Sequence, residues 1–554
     1  MKKKLLSAIR IGIPCAIYIL LFSACSKIDE YLDRDPVGGL SENQVFGRYN
    51  ETEKYVAGLY GRVHTRSEWW PAAEGSNKTF SYAAASDEAL CSVQYPNGPH
   101  EFTQGTINAN HNPLDRWLDL YASIRAANLF LEKIELLVPQ NNVQTVGKSR
   151  MIGEVHFLRA FYYMELFKRY GGIPLVDRVL NVSDELDLER SSAEATVAFI
   201  AADCDAAAAL LPLEHAAIDL GRATKGAALM LKARAHIFGA SLLHNPQQDK
   251  DRWLAAANAA KAVMDLNHYE VDDDYAALSH KRVAKNLIFQ SNINQTDWVH
   301  FNLLPSLGGQ ARVQPLQNLV DAYEMQATGL PIDEDPAYDA VNSPYVGRDP
   351  RFYHSIIYDG STFKGNTVYT YLGAPGGNDV QRWGGERRTQ TGYYLRKMLD
   401  ENGSITPNNI VGDHFWIFMR YEETLLYFAE AMNEYLDAPD DRVYAAVNEV
   451  RTRVGMPALP AGMDKEDMRS RIRNERRVEF AFEGIRFWDI RRWRIGGEVM
   501  TKARGIIIDG SVTPRKHWNN DLEERVYRPE FDLFPIPQSE RNKHKKLGQN
   551  PDYQ

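Results

Sequence analysis

Apolar positions recur at steps of three and four residues through much of this 554-residue chain. From Trp117 onward, this spacing places a set of apolar side chains on one face of an α-helix, which turns once in about 3.6 residues. The pattern therefore predicts an amphipathic helix. Its apolar positions are Leu120, Ile124, Ala127, Leu131 and Ile134.

The segment that begins at Ile152 carries two neighbouring apolar stripes instead of one. A helix that is apolar on two sides packs between neighbours, as the helices of a solenoid do. Gly171 and Gly172, followed by Pro174, predict the end of this helix. The first stripe consists of Val155, Leu158, Tyr162 and Leu166, and the second of Phe157, Phe161 and Met164.

Two later stretches share one layout. "KARAHIFGASLL" precedes "DRWLAAANAAKAVM", and "YFAEAMNEYL" precedes "DRVYAAVNEVRTRV". Each begins with an Ala-x-Ala helix, whose small side chains let a second helix approach closely, and the pairing resembles tetratricopeptide units. The spacing between units is irregular, so the sequence predicts scattered helix pairs.

Between about residues 270 and 412 the composition shifts toward Gly, Pro, Asn and Asp. Stretches such as "NLIFQSNI" and "NTVYTYL" predict short strands between long loops. The predicted fold is mainly α, with scattered tetratricopeptide-like helix pairs supporting a loop-rich lobe with short strands. Binding residues are expected on that lobe, because loops held by a rigid frame commonly carry them.

The first 24 residues have the features of a signal peptide. Four cations precede or flank an apolar run from Ile11 to Ala24, which at fourteen residues is shorter than the roughly 20 needed to span a bilayer. The small residues Ser23 and Ala24 come directly before Cys25. This resembles the lipobox of bacterial lipoproteins and predicts lipidation of Cys25. An ordinary secretory signal that happens to contain a cysteine is the alternative.

Charge and cysteine content exclude several classes of protein. The formal net charge is −9, and removing four signal cations and no acidic residue changes it to −13, which argues against a nucleic-acid partner. After Cys15 and Cys25, only Cys91 and Cys204 remain, so this is not a disulfide scaffold. Cys204 lies in an Ala-rich stretch that predicts a buried helical thiol.

A search for catalytic motifs finds no metalloprotease, nucleophile-elbow, Walker or dinucleotide signature. The fourteen histidines show no metal-ligand spacing. No cofactor or metal site is predicted, and the sequence does not decide whether calcium binds. A pair of glycosidase carboxylates has no fixed spacing and stays open.

The densest charged segment, residues 471–493, reads "RIRNERRVEFAFEGIRFWDIRRW". On one continuous helix, Glu475, Glu479 and Glu483 would share a face, and Arg471, Arg476 and Arg486 would lie close enough to pair with them. One interpretation is an anion site. The favoured one is a partly buried structural ion network above aromatic side chains, which are Phe480, Phe482, Phe487 and Trp488.

A series of motifs in fixed order resembles the SusD/RagB family of outer-membrane nutrient-binding lipoproteins. They are "LDRDP" after Cys25, "ASDEA" at 85–89, "LYASIRAANLFLEKI" at 120–134, "GEVHFLRAFYYMELFKRYGGIPL" at 153–175, "LVDAYEM" at 319–325, "GRDPRF" at 347–352, "ERRVEFAFEGIRFWDIRRW" at 475–493, "LFPIPQSE" at 533–540 and "QNPDY" at 549–553.

The resemblance implies a non-enzymatic, lipid-anchored protein of the outer membrane that faces the cell exterior. Its expected partner is a SusC-type TonB-dependent transporter, on which it would act as a lid that captures oligosaccharides or other nutrients. The implied division is a signal peptide over 1–24, a helical region over 25–290 and a second region over 291–554. The alternatives are a surface glycoside hydrolase or polysaccharide lyase on a helical barrel, and a peptide-capturing member of the same family.

Aromatic side chains outside the helical stripes are the candidates for stacking on sugar rings. Trp117, Trp253, Trp416, Trp488 and Trp493 lie in amphipathic stretches and are predicted to be core. "LCSVQYPNG" offers only Tyr95 where starch-binding members of the family have an aromatic pair, which puts starch in doubt. The candidate binding residues are Trp69, Trp70, Tyr95, Trp298, Phe301, Arg382 and Trp383.

Overall fold

The structure is a computed structural model. It describes residues 40–64, 81–94, 96–181, 183–294, 296–371, 374, 388–402, 404–406, 409–411 and 414–553. Within them the helices are α1 (Glu42–Phe46), α2 (Tyr49–His64), α3 (His100–Thr103), α4 (Trp117–Lys133), α5 (Asn142–Tyr170), α6 (Ala193–Leu210), α7 (Lys225–Ala240), α8 (Lys250–Met264), α9 (Thr296–Asn302), α10 (Gln317–Val320), α11 (Pro350–Ser355), α12 (Tyr421–Tyr435), α13 (Asp441–Thr452), α14 (Lys465–Glu479), α15 (Ile485–Trp493), α16 (Gly496–Val499) and α17 (Gln538–Lys543).

The helix boundaries follow local sequence chemistry. Asn141 caps α5 by accepting a hydrogen bond from the backbone N–H of Gln144, and Ser192 caps α6 in the same way. Such caps satisfy backbone donors that the first helical turn leaves unpaired. The helix α5 ends where the glycine pair predicted it, with Gly171 at a φ of 72°.

The predicted helix pairs are present, and they lie side by side in space. Helices α4 to α8 pack each on the next, and α12 then packs directly against α8 although residues 265–420 separate them in the chain. The helical solenoid is therefore continuous across that long insertion. This confirms the mainly α fold with tetratricopeptide-like pairs.

The insertion supplies most of the loops and strands. Within the described residues the strands form six two-stranded antiparallel sheets. The strand predicted in "NLIFQSNI" is confirmed, whereas "NTVYTYL" forms a strand only at its first two residues. The pairs are β1 (Ala89–Cys91) with β3 (Val313–Pro315), β2 (Leu287–Gln290) with β10 (Ile417–Arg420), β4 (Ile356–Ile357) with β7 (Tyr394–Leu395), β5 (Thr362–Phe363) with β6 (Asn366–Thr367), β8 (Ser404–Thr406) with β9 (Asn409–Val411), and β11 (Lys502–Asp509) with β12 (Lys516–Glu524).

The segment 471–493 is two helices, so the prediction of one continuous helix is wrong. Helix α14 ends at Glu479 and α15 begins at Ile485. Between them Phe482 has a φ of 65° and Gly484 a φ of 77°. A left-handed conformation costs a non-glycine residue about 1–2 kcal/mol. The complete burial of the Phe482 ring offsets that cost.

One hydrophobic core cluster reaches from Phe46 to Leu547. The five tryptophans predicted to be core are all buried, and Cys204 is a buried thiol on α6 as predicted. Among the described residues, no helix combines the length and the apolar composition needed to cross a membrane. The division of the chain at residue 290 stays a prediction.

Candidate functional site

Several predicted site residues lie outside the described residues. These are Cys25, Trp69, Trp70, Tyr95, Arg382 and Trp383. Their predicted roles stay predictions. Trp298 and Phe301 are described, and the structure separates them into two different environments.

Trp298 does not lie in an exposed loop, as the sequence interpretation assumed. It belongs to the short helix α9, and its side chain is only 1% exposed. Its indole is nearly parallel to the ring of His414, with centroids 6.3 Å apart. A ring buried in this way offers no open face to a sugar, so Trp298 is a packing residue in this arrangement.

Phe301, on the next turn of α9, is half-buried and lies under the guanidinium group of Arg312. The Arg312 Cζ is 4.7 Å from the centroid of the phenyl ring, which is the geometry of a cation–π contact. Gln310 accepts a hydrogen bond from Arg312 Nε at 2.8 Å and lies 2.8 Å from His300 Nε2. These four residues form what we call the Phe301 platform: His300, Phe301, Gln310 and Arg312.

A glycine turn folds Arg312 back onto Phe301. The backbone N–H of Arg312 donates to the carbonyl oxygen of Phe301 at 2.9 Å, and Gly308 turns the chain at a φ of 85°. A Cβ on Gly309 would lie 1.9 Å from the carbonyl oxygen of Leu303, so only glycine fits there. Sequence analysis missed Arg312, and the Gly308–Gly309 pair was the signal that could have found it.

Three distant chain segments meet at the Phe301 platform. Strand β1 pairs with β3 so that Cys91 lies opposite Val313, and Ser92 N–H donates to the Arg312 carbonyl oxygen at 2.9 Å. Gln390 Nε2 donates to the Ser92 carbonyl oxygen at 3.0 Å. The structure therefore brings together the chain next to Tyr95, the platform itself, and the chain that follows Arg382 and Trp383.

The central glutamine Gln314 fixes this junction. Its side-chain amide donates to the carbonyl oxygen of Arg388 at 2.8 Å, and its Oε1 accepts from the backbone N–H of Gln390 at 2.8 Å. Gln314 is completely buried, so its hydrogen bonds form in a low-dielectric interior, where they are stronger than in water. They hold the chain at residues 388–390 against β3. The exposed side chain of Gln390 remains at the edge of the platform.

The charged cluster around α14 is a structural ion network, as the favoured interpretation predicted. The arginines that pair with its glutamates, however, are not the ones that the sequence spacing predicted. Glu479 contacts Arg420 at 2.6 Å, Arg351 at 2.9 Å and also Arg453. Glu475 contacts Arg351 at 2.5 Å and Arg451 at 2.8 Å. These arginines come from α11, the end of β10 and the end of α13, not from the neighbouring turns of the same helix.

The arginines that sequence spacing assigned to the three glutamates bind elsewhere. Arg476 pairs with Asp489, Arg486 with Asp87, and Arg471 with Glu324. Glu483 lies beyond the end of α14 and pairs with Arg420 and Lys397. The helix break separates Glu483 and Arg486 from α14, whereas Arg471 and Arg476 stay on α14 and pair with acidic side chains of other segments.

The charge network is unsuited to binding an external anion. Burial alone would raise the pKa of Glu479, yet Arg453, Arg420 and Arg351 hold that pKa well below its usual range. Glu479 and Arg351 are both completely buried. Carboxylates of the protein already occupy the guanidinium groups, so the network fixes α14 against the loop-rich lobe.

The described residues show no group of three or more histidine, cysteine or acidic side chains that could hold a metal ion. The Phe301 platform consists of an aromatic face, from Phe301, with the guanidinium group of Arg312, the amide of Gln310 and the imidazole of His300 beside it. Aromatic faces stack on the C–H faces of sugars, and such polar groups bond to hydroxyl rims. The fold is a helical solenoid that supports a loop-rich surface, and the Phe301 platform gives that surface groups suited to binding a ligand.

The chain belongs to the SusD family. The profile of the SusD family matches residues 275–553, and a second profile, described as starch-binding associating with outer membrane, matches residues 30–237. Together the two matches include most of the chain, and they agree with the order of motifs that the sequence shows.

Solved structures and curated relatives with similar chains are also SusD-like proteins. A SusD-like protein from Bacteroides fragilis is 30% identical, with a TM-score of 0.78, covering 94% of this chain and 100% of its own. A SusD-like carbohydrate binding protein from the same species is 26% identical, with a TM-score of 0.76, covering 91% of this chain and 100% of its own. Among curated relatives, a SusD-like protein of Formosa agariphila is 23% identical over 538 residues, covering 90% of this chain and 94% of its own.

Proposed function

We propose that this protein captures glycans at the cell surface and delivers them to a SusC-type TonB-dependent transporter in the outer membrane. The Phe301 platform is the proposed contact surface for the sugar. Cys25 is the proposed lipid anchor, which would hold the protein on the outer membrane facing the exterior. The proposed action is binding without catalysis.

The observation that carries the proposal is the convergence of three segments on one aromatic and guanidinium surface. Ser92, Phe301 with Arg312, and Gln390 are tied together by backbone and side-chain hydrogen bonds. A preorganised surface of this kind loses little conformational entropy when a ligand binds. The similarity to a structure named as a SusD-like carbohydrate binding protein supports sugars as the ligand class.

A ligand screen tests the proposed platform. The intact protein is titrated calorimetrically with neutral oligosaccharides, acidic oligosaccharides and short peptides. We expect an oligosaccharide to bind, and Arg312→Ala to weaken that binding while Arg442→Ala leaves it unchanged. Arg442 is a suitable control because it is an exposed arginine on α13 that pairs only with Asp440 within the described residues. Binding of peptides alone would favour the peptide-capturing alternative.

Product analysis separates binding from catalysis. Incubating the protein with the oligosaccharide it binds, followed by mass spectrometry, should return the ligand with its length unchanged. Shortened or unsaturated products would support a glycoside hydrolase or a polysaccharide lyase instead.

Fractionation tests the proposed location and partner. Cys25→Ala should move the protein from the membrane fraction to the soluble fraction, since acyl chains contribute about 0.8 kcal/mol per buried CH₂. Affinity purification from gently solubilised outer membrane should recover a large TonB-dependent barrel. Recovery of this chain alone under several mild detergents would contradict the partnership.

A further inference from the structure

An apolar groove of about 280 Å³ runs along the outer face of α4. Residues 174–180 and 186–188 form its opposite wall, and Leu547 and His544 from the C-terminal segment close one side. Most of its wall is aliphatic. The aliphatic side chains of the two main walls are Leu118, Ile124, Val176, Leu180, Leu186 and Leu188.

Hydrogen bonds hold the groove open in a defined shape. Tyr121 Oη donates to the carbonyl oxygen of Pro174 at 2.8 Å, and Asn128 Nδ2 donates to the carbonyl oxygen of Val176 at 2.9 Å. These polar groups of the floor are therefore already bonded within the protein. The groove presents hydrocarbon to an occupant, and two of its leucines are open to solvent, with Leu118 68% and Leu186 44% exposed. Contiguous exposed apolar surface of this kind usually marks a contact site.

The N-terminal part of the chain enters the structure close to this groove. Glu42, at the start of α1, pairs with Lys133 at the end of α4 at 3.5 Å. Asn128, at the near end of the groove, is five residues from Lys133, or about 7.5 Å along the helix axis. Residues 25–39 lie outside the described residues. The eight steps from Leu32 to Leu40 can span about 27 Å. The segment before Leu40 is therefore long enough to pass around the end of α4 and follow its outer face.

The composition of that segment complements the groove. It reads "CSKIDEYLDRDPVGG", in which three large apolar side chains alternate with four acidic ones. The apolar side chains, Ile28, Tyr31 and Leu32, match the aliphatic walls. The rim of the groove carries the exposed Arg125, which is complementary to the acidic side chains, whereas Arg178 already pairs with Asp184 at 2.8 Å.

We propose that residues 28–35 of the same chain occupy this groove, with Ile28, Tyr31 and Leu32 packed against Leu118 and Leu186. If Cys25 is lipidated, as the proposed function states, this contact would shorten the free tether from fifteen residues to a few. The lipid would then emerge beside α4, and the helical body would have a fixed orientation over the membrane. The contact itself does not depend on lipidation, so the two ideas can fail separately.

Disulfide trapping tests the proposal in the chain from residue 25 onward, with Cys25→Ala so that no lipid interferes. Leu32→Cys and Leu186→Cys are introduced together, and disulfide formation is followed under mild oxidation. The matched control carries the same two cysteines with Ile28→Ser and Tyr31→Ser, so that only the apolar anchors differ. We expect an intramolecular disulfide that forms at least ten times faster than in the control.

Equal rates in the two proteins would overturn the proposal, because proximity of the tether alone would then explain the disulfide. A disulfide found only between two chains would also overturn it, by assigning the groove to a second copy. Hydrogen exchange supplies a second measurement without added cysteines. Ile28→Ser, Tyr31→Ser and Leu32→Ser together should speed exchange in residues 174–188, and unchanged exchange there would contradict the contact.

Discussion

Two arginine–phenylalanine stacks in this protein have nearly the same geometry and opposite surroundings. Arg420 lies 4.3 Å from the ring centroid of Phe480, and Arg312 lies 4.7 Å from that of Phe301. Arg420 is 2% exposed and is bonded to the carboxylates of Glu479 and Glu483. Arg312 and Phe301 are both half-buried, at the surface of the loop-rich lobe.

The difference shows that the same pair of side chains can stabilise the interior or lie at the surface, where the proposed function assigns it to recognition. In the interior, carboxylates surround the Arg420 guanidinium group, because an uncompensated buried charge is strongly destabilising. At the surface, water solvates the edges of the stack, and a ligand can replace that water. Variants in the two regions should therefore separate stability from binding.

The largest effect is expected for Glu479→Gln. This change removes one negative charge from among Arg351, Arg420 and Arg453, and leaves buried guanidinium groups without full compensation. We expect the free energy of unfolding to fall by about 3–5 kcal/mol, measured by chemical denaturation. Asp467→Asn is the matched control on the exposed face of α14 and should change stability by less than about 0.5 kcal/mol. Equal effects of the two variants would contradict the assigned role of the network.

A loss of similar size is expected for Trp298→Ala, because the indole is buried beside His414. The cavity and the lost burial should lower the free energy of unfolding by about 3–5 kcal/mol. Trp518, which is 48% exposed on β12, provides a tryptophan control whose replacement should cost much less. Thermal unfolding of both variants distinguishes them. A stable Trp298→Ala protein with selectively weakened ligand binding would restore Trp298 as a binding residue.

A smaller effect, on binding and not on stability, is expected for Phe301→Ala. Loss of a stacking ring should weaken sugar binding by about 1–3 kcal/mol, as judged from the burial of an aromatic face. The melting temperature should stay within a few degrees of the parent, because the ring is only half-buried. Phe301→Tyr keeps the ring and should retain most of the affinity. Strong destabilisation by Phe301→Ala without a change in affinity would assign Phe301 to the core.

A pH-dependent effect is expected for Glu88, which directly precedes β1. Its carboxyl is completely buried and has no hydrogen-bond partner among the described residues, and burial together with the charge of Asp87 raises its pKa to about 8. The folded protein then keeps a proton that the unfolded chain releases above its ordinary pKa. Stability should fall as the pH rises toward 8, by up to roughly 1.4 kcal/mol per pH unit from this group.

Glu88→Gln should remove this slope, so the difference in unfolding free energy between variant and parent should grow from about pH 5 to pH 8. The neighbouring Asp87 gives the opposite behaviour. Burial opposes its ionisation, but Arg477 and Arg486 outweigh burial and lower its pKa to about 2. Its contribution is present above its ordinary pKa and is lost as the pH falls toward 2. For Glu88, parallel curves of unfolding free energy for Glu88→Gln and the parent between about pH 5 and pH 8 would exclude the proposed titration.

Parts of the candidate site could be predicted from sequence, and Phe301 is the clearest case. Sequence analysis selected it as an aromatic side chain outside the predicted helical stripes, and the structure places it half-buried on the loop-rich lobe. Trp298, three residues earlier, came from the same reasoning and is buried. Side chains three residues apart on a helix lie only about 60° apart around its axis, so helical spacing alone does not separate these two rings. Tertiary packing decides that the edge of the core passes between them.

The sequence by itself determined the apolar faces of helices such as α4 and α5 and the end of α5 at Gly171, because these depend on residues within a few positions of one another. It also determined family membership, through motifs spread along the chain. Only the tertiary structure decided which charges pair, since Glu479 meets Arg351, Arg420 and Arg453 from three other segments. The same holds for the contact of Arg312 with the chain around Ser92 and Gln390. Partners that lie far apart in sequence leave no local periodicity, and burial makes their exact pairing a property of the folded core.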